Sequence, residues 1–548
     1  MRQSLLKIEP MSNANKFNLY PIIKLHTYIT ALILICGTAE AQRFDADDWI
    51  TYRDFRYVLS GDVGRDFIYL VTTGGICRWD RYRQRWGTPI STAFTGLEAV
   101  SLDTVFAAGY DNNTGYLWCG ASSGLFSYET MSDNWEKHIL PMGNPTVYSI
   151  GVSVDKIWVE AADSYYSPRI LFSKDPTFGM FIVSSPGELQ SASPVKWQGE
   201  RGVIPGDLPQ YFVNQGGYNF GSDCIYTPNM EEHQLTCYLN DGWGYSWLGF
   251  FGSGIGRVDD NTNRMDLYLP GPSGRVVRSL LMNSNTAWIG GSGLVKWQRK
   301  QDKWEQFQWE YITGLDSDSV EAIAENDEKV FFATDMGLAV YDKKSGRFHM
   351  KTRLDNLTES HVTCLAVDRN ELWIGSVRGI SVMNFKENSI IRIDNPRVED
   401  RYIYDIAIDG SFVWAGTYDG LYLHDRMTGD WTYVLGSPEL EQSEVRTLQA
   451  GEKEIWTGRF LGVEYFDKDT GEFHGYPSVL YGNRVVNDLT ADSAVVWLAT
   501  NGGLVKHDRK LNRWVRFTRQ DGLPSGTVYV LHKEGDYLWL GTANGLTR

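Results

Sequence analysis

Apolar and polar positions change places in short bursts along this chain, not at helical spacing. Stretches such as Val362-Thr363-Cys364-Leu365-Ala366-Val367 and Leu372-Trp373-Ile374-Gly375-Ser376 are rich in β-branched and aromatic residues. Gly, Asp and Asn separate them. This is the pattern of strands closed by tight turns. A helical solenoid would need apolar residues three and four apart, with far fewer Gly and Thr.

One phrase recurs. It reads Val413-Trp414-Ala415-Gly416-Thr417, Ile455-Trp456-Thr457-Gly458, Val496-Trp497-Leu498-Ala499-Thr500 and Leu538-Trp539-Leu540-Gly541-Thr542. Its anchors Trp288, Phe331, Trp373, Trp414, Trp456, Trp497 and Trp539 follow one another at 41 to 43 residues. Earlier copies begin at Tyr69, Trp118 and Trp158, with a looser one at Trp247. A Gly follows each anchor, then an aromatic slot (Trp79, Tyr128, Trp297, Tyr341, His424, Phe466, His507), then a second (Trp86, Trp135, Trp304, Phe348, Trp431, Phe473, Trp514). Each repeat therefore predicts four strands: an inner one, the Trp strand, the Gly-Leu strand, and a last strand carrying the second aromatic. A sheet repeat of this length fits a β-propeller blade.

The Leu-Trp-Ile-Gly-Thr-x-x-Gly-Leu phrase, with Asp521-Gly522-Leu523-Pro524-Ser525 ahead of the next inner strand, resembles the two-component-regulator propeller family. The resemblance covers 60–158 and 247–548. It implies an all-β fold of propeller repeats of the kind found in the periplasmic sensor region of hybrid two-component systems. No kinase, response regulator or membrane helix accompanies the repeats, so signalling across a membrane by this chain alone is not expected.

Eleven anchors, and the length divided by the repeat, predict about 11–12 four-stranded blades. Propellers hold about four to eight, so two rings are expected. The segment Asp48-Trp49-Ile50-Thr51-Tyr52 resembles a last strand, and Gly545 has no last strand after it. The N-terminal strand is therefore expected to close the C-terminal blade. The organisation reads as 42–158 for the first blades, 159–246 for a diverged blade or insertion, and 247–548 for regular repeats, the ring boundary being open.

Composition sharpens this picture. Of 20 Trp, 17 fall in the blade slots, leaving Trp197, Trp243 and Trp309. The aromatic excess is thus packing material first. The formal charge of −16 excludes a nucleic-acid or anionic-membrane binder, which needs a cationic surface. Residues 1–41 read as an export signal: Lys16 and Lys24 precede the apolar run Tyr28 to Cys36, and Ala39-Glu40-Ala41 offers a cleavage site after Ala41. Ile35 stands where a lipoprotein anchor at Cys36 needs a small residue. A periplasmic or extracellular location follows, with no integral membrane segment once the signal is removed. In that oxidising setting Cys224 and Cys237 form a possible disulfide. Cys77, Cys119 and Cys364 read as buried thiols.

Candidate chemistry is sparse. His424 and His507 fill aromatic slots, and His361 and His532 lie near inner strands without forming a cluster. Asp342, Asp425, Asp467 and Asp508 precede turns, whose amides they cap. No catalytic set, metal site or cofactor is expected. What varies between copies is the loop between second and third strands and the loop entering the first, which share one face of a ring. Arg378, Tyr418, Asp419, Arg459, Phe460, His361, Arg401, Tyr402, Arg446 and Arg484 are the candidate ligand-binding residues. The expected function is an exported, non-catalytic binding, sensing or scaffold protein, taking a protein or oligosaccharide at a ring face. One alternative is a double-propeller component of a type IX secretion-like assembly. Another is a metal-dependent propeller lyase.

Overall fold

In the computed structural model, the described residues are 49–548 apart from 96–97, 103, 178, 308–318, 439, 441–442 and 483. The expected signal segment and Trp309 lie outside them. The described chain forms nine four-stranded sheets, one of five strands, one of seven and a two-stranded ribbon. The larger eleven are blades, with chain order running from inner to outer strand.

Blades 5 to 11 form the large ring. Their inner strands are Val277–Met282, Val320–Glu325, Val362–Val367, Ile403–Asp409, Val445–Ala450, Val486–Ala491 and Val528–Glu534. Each packs beside the next, and the last packs beside the first, so the ring of seven is closed. Blade 11 draws its outermost strand from the other end of the chain: Thr51–Tyr52 pairs antiparallel with Gly545–Thr547, Thr51 opposite Thr547. The expected closure is found.

Blades 1 to 4 form a small ring between those two halves of blade 11. Their inner strands are Val58–Val63, Val105–Tyr110, Thr146–Val152 and Glu232–Asn240. They pack in the order four, one, two, three. Between blades 3 and 4 the chain inserts other material. Lys196–Gly199 pairs with the inner edge of blade 3 and lies against blades 1 and 2. Cys224–Tyr226 pairs with the inner strand of blade 4. The segment 159–246 thus holds the rest of blade 3, an insertion, and the inner strand of blade 4. Residues 53–57 carry the chain out to the small ring and 269–276 bring it back. Asp54 ties the two passages together, taking the Gly274 amide at 3.1 Å and the Arg56 guanidinium at 2.7 and 2.8 Å.

The repeated phrase has a physical reason at each position. The Gly two places after the Trp lets the next blade approach. A Cβ on Gly458 would lie 2.8 Å from Val486 Cγ1, and one on Gly416 2.9 Å from Val445 Cγ1. The same contact closes the large ring, Gly541 meeting Val277, and joins blade 4 to blade 1 in the small ring, Gly249 meeting Val58. The Trp lies across the seam on the next blade's aromatics, as Trp373 on His424 at 5.5 Å, Trp539 on Trp297 at 5.7 Å and Trp247 on Trp79 at 5.3 Å. The Thr ending the second strand donates to the carbonyl of the following Gly, Thr500 to Gly503 at 2.7 Å and Thr542 to Gly545 at 2.9 Å. Gly503 and Gly545 have φ of 121° and 110°, a region that favours glycine. The turn aspartates do as expected: Asp342 takes the Ser345 amide at 2.7 Å and Asp508 the Leu511 amide at 2.9 Å.

The structure corrects one pairing. Cys224 and Cys237 are buried free thiols. Cys224 stands opposite Gln234, three residues short of Cys237. Three strand residues span about 10 Å, beyond the Cα separation a disulfide accepts. Burial pushes the Cys237 thiol up to about 12.

Two outcomes check the seams. Gly458→Ala drives a methyl into the next blade and is expected to lower unfolding stability by about 1–3 kcal/mol, read by denaturant titration. Tyr52 sits within 5.3 to 6.4 Å of Trp297, Trp304 and Trp539. Tyr52→Ala is expected to cost about 3–5 kcal/mol and to open blade 11, seen as fast amide exchange at Gly545–Thr547.

Candidate functional site

Every inner strand of the large ring carries a β-bulge after its first residue, as at Val445/Thr447 and Val528/Val530. A bulge leaves one residue out of the ladder and re-aims its side chain. The residues so placed are Arg278, Glu321, Thr363, Tyr404, Arg446, Asn487 and Tyr529, one per blade. They meet from blade to blade around the mouth of the axis. The Arg278 guanidinium lies 5.2 Å from the Tyr529 ring and 3.9 Å from Glu321. Asn487 donates to the Val528 carbonyl at 2.7 Å. Tyr404 donates to Glu444 at 3.0 Å, and Arg446 holds the same carboxylate at 2.6 Å.

The ten candidate residues divide. The loops between second and third strands do hydrogen-bond to the residue entering the first, Val377 to His361 at 3.1 Å and Tyr418 to Tyr402 at 3.3 Å. These loops therefore share one face, as expected. Two groups form on blades 8 and 9. Arg401 pairs with Asp419, which also accepts from Thr417 at 2.7 Å. Tyr402 and Tyr404 stack at 4.5 Å beside Arg446. Tyr418 and Phe460 stand half-exposed. Arg378 pairs with exposed Asp400, beside the first group: Asp400 precedes Arg401, whose carbonyl accepts the Gly379 amide at 2.8 Å. Arg484 lies across Gly502, and His361 is partly buried without an ionic partner among the described residues.

Arg459 is no mouth residue. It occupies the slot where other blades carry the buried Thr, and its side chain is 0% exposed. It pairs with equally buried Glu464 at 2.6 Å. Glu464 also takes the amide and hydroxyl of Ser437, each at 2.8 Å. This is a strut of blade 9.

Below the mouth lies a set of carboxylates that repeat-level reading missed. Asp405, Thr447 and Asp488 hold the third position of three consecutive inner strands. Asp405 accepts the Leu448 amide of the next blade at 2.7 Å, and Asp488 the Leu531 amide at 2.7 Å. Thr447 donates to Asp488 at 3.1 Å. Burial pushes Asp405 up to about 7, with Asp488 adding to it, and pushes Asp488 up to about 6. They staple inner strands together.

The histidines of the aromatic slots are stacked packing groups, His507 on Trp514 at 4.0 Å and His424 on Trp431 at 4.7 Å. Burial lowers the pKa of both. Among the described residues no three His, Cys, Asp or Glu gather as a metal site, and no helix is long and apolar enough to cross a membrane.

The chain matches no protein-family model. It matches no curated protein. Among solved structures it is similar to the extracellular domain assigned to a hybrid two component system, BT4673, of B. thetaiotaomicron, at 16% identity and a TM-score of 0.45, over 89% of this chain and 74% of that one. It is similar to PorZ, a surface component of the type-IX secretion system of Porphyromonas gingivalis, at 14% identity and 0.44, over 90% and 73%. The WD40 repeats of RRP9 match at 11% and 0.41, over 50% and 94%. Likenesses at these identities and TM-scores carry no argument about this chain.

Two outcomes test the inner groups. Arg459→Met alone strands a buried carboxylate and is expected to cost about 3–5 kcal/mol, with Arg459→Met/Glu464→Leu recovering most of it; chemical denaturation reads both. Raised carboxylates favour folding when protonated, so their contribution is fully present near pH 4 and declines as pH rises to about 7. The melting temperature of wild type should fall relative to Asp405→Asn as pH rises from about 4 to about 7, by an amount absent below pH 4.

Proposed function

We propose that this is an exported, non-catalytic binding protein that holds a protein or oligosaccharide at a ring face. One observation carries the reading. The closed large ring repeats one seam design while its seven bulges present five kinds of side chain at the mouth: Arg, Glu, Thr, Tyr, Arg, Asn and Tyr in turn. A rigid scaffold bearing varied polar and aromatic groups on one face is how binding surfaces are made. The mouth groups are already paired with one another, as Arg446 with Glu444 and Arg401 with Asp419. That pairing supports recognition over proton transfer, which needs a group held ready for substrate. Export follows from the signal-like first 41 residues.

Sensor-type recognition and a scaffold role in a secretion assembly are both served by such a face. Immobilised chain incubated with envelope extract separates them: secretion components on the beads favour the scaffold, and glycan binding favours the sensor. Either capture is expected to fall at least tenfold in Arg446→Glu/Tyr404→Ala. Capture at full strength in that variant contradicts the proposed mouth. Stoichiometric metal in the purified protein would instead favour the lyase.

A further inference from the structure

The connections of a blade alternate between the two faces of its ring. In the small ring, the turns joining first to second and third to fourth strands therefore lie opposite the passages to the large ring. These turns, at 63–65, 81–82, 112–115, 130–131 and 240–243, surround a cavity of about 680 Å³. Lys196, at the start of the strand lying along the inner edges, contributes to the same cavity and pairs with buried Asp62.

Trp243, one of the three Trp outside the blade slots, stands at its rim. Its ring is 49% exposed, yet it is held from three sides. The Arg81 guanidinium lies 4.1 Å from its centroid. Arg81 is itself buried, donating to the Asp241 carbonyl at 2.6 Å and the Gly64 carbonyl at 2.8 Å. Tyr82 stands edge-on at 5.2 Å, 65% exposed. Asp241 takes the Trp243 amide at 2.7 Å and the Tyr245 amide at 3.2 Å, fixing the turn. A half-exposed indole fixed this firmly is a stacking platform, because its rotamer entropy is already spent before any ligand arrives.

Around the platform the lining is polar, with Arg65, Arg81 and Lys196 against Asp241, and with Asp66 and Asp62 behind it as partners of Arg65 and Lys196. The Asn112 amide is exposed and makes no hydrogen bond among the described residues. Each cation has its partner: Arg65 pairs with Asp66, Lys196 with Asp62, and Arg81 with carbonyls. Arg65 and Lys196 are thus already engaged by carboxylates before any ligand arrives. The acidic chain would also repel a nucleic-acid backbone. Aromatic faces beside free amide groups suit a ligand whose rings have apolar faces and hydroxyl edges.

We infer that this cavity of the small ring binds a neutral oligosaccharide, one sugar ring stacking on Trp243 and its hydroxyls meeting Asn112. The inference rests on the proposed reading of the chain as a ligand-binding propeller, and it moves one binding site to a different ring and to the opposite face. The test is an array of neutral oligosaccharides (glucans, mannans, xylans) and acidic ones (alginate, heparin fragments), with titration calorimetry on any hit. Wild type is expected to bind at least one neutral glycan. Trp243→Ala and Asn112→Ala are each expected to weaken it about tenfold or more, with an unchanged melting temperature, and Trp243→Phe to retain part of it. Leu354→Ser, an exposed large-ring position outside both proposed sites, should leave it unaltered. No neutral glycan bound, binding to acidic glycans only, or full binding by Trp243→Ala would each overturn the inference. Glycan binding lost in Arg446→Glu but kept in Trp243→Ala would sink this site while leaving the large-ring mouth standing. Failed envelope capture with Trp243-dependent glycan binding intact would do the reverse.

Discussion

The contact between a seam glycine and the first residue of the next inner strand governs the rest of the molecule. With no side chain at Gly416, Gly458 or Gly541, Val445, Val486 and Val277 of the adjoining blades come into van der Waals reach of a neighbouring backbone. That approach sets the pitch between sheets, which lets a Trp of one blade lie over the aromatics of the next. Neither contact is worth much alone, but the large ring repeats it at five of its seven seams, with Ala333 and Ala499 in the glycine's place at the other two, and the last seam must match the first. Closure is therefore a collective constraint. It explains why the N-terminal strand, nearly 500 residues away in sequence, belongs to the final blade.

The same constraint separates structure from function within each repeat. The first residue of an inner strand is fixed by the seam and the third by contact with the neighbouring blade, as in Asp405 and Asp488. The second is released from the ladder by the bulge and stands at the mouth, buried only in part. Recognition groups can be exchanged there without disturbing the wedge beneath. Arg459 marks the opposite case, a charged residue admitted into a buried slot because the Ser443 carbonyl and Glu464, itself held by the Ser437 donors, meet it there.

The seam was legible in the sequence because it is periodic. The Trp-x-Gly-Thr phrase gave the strands, their order and the closing strand, since each position answers one repeated physical need. The blade count resolved to eleven because the chain 184–231 adds strands to two blades without making one of its own. The site was less legible. Arg446, Arg401 and Tyr402 could be found as variable residues near a loop, but the bulge that aims Arg278, Glu321 and Tyr529 leaves no composition of its own. Arg459 misled because a residue adjoining a variable loop can still fill a buried slot. Cys224 and Cys237 misled because sequence separation says nothing of strand register. Trp243 was visible only as an exception to the repeat, and its partner Arg81 comes from a turn 160 residues earlier.

The central claim is that seams carry stability and bulges carry recognition. A saturation scan of the large ring, with folded abundance and ligand capture read in parallel, tests it most directly. The account predicts that seam glycines and the Val or Ile they meet tolerate almost nothing in abundance, while Arg278, Glu321, Tyr404, Arg446 and Tyr529 tolerate most residues in abundance and few in capture. Bulge positions as intolerant in abundance as the seams, or neutral in both readouts, would contradict it.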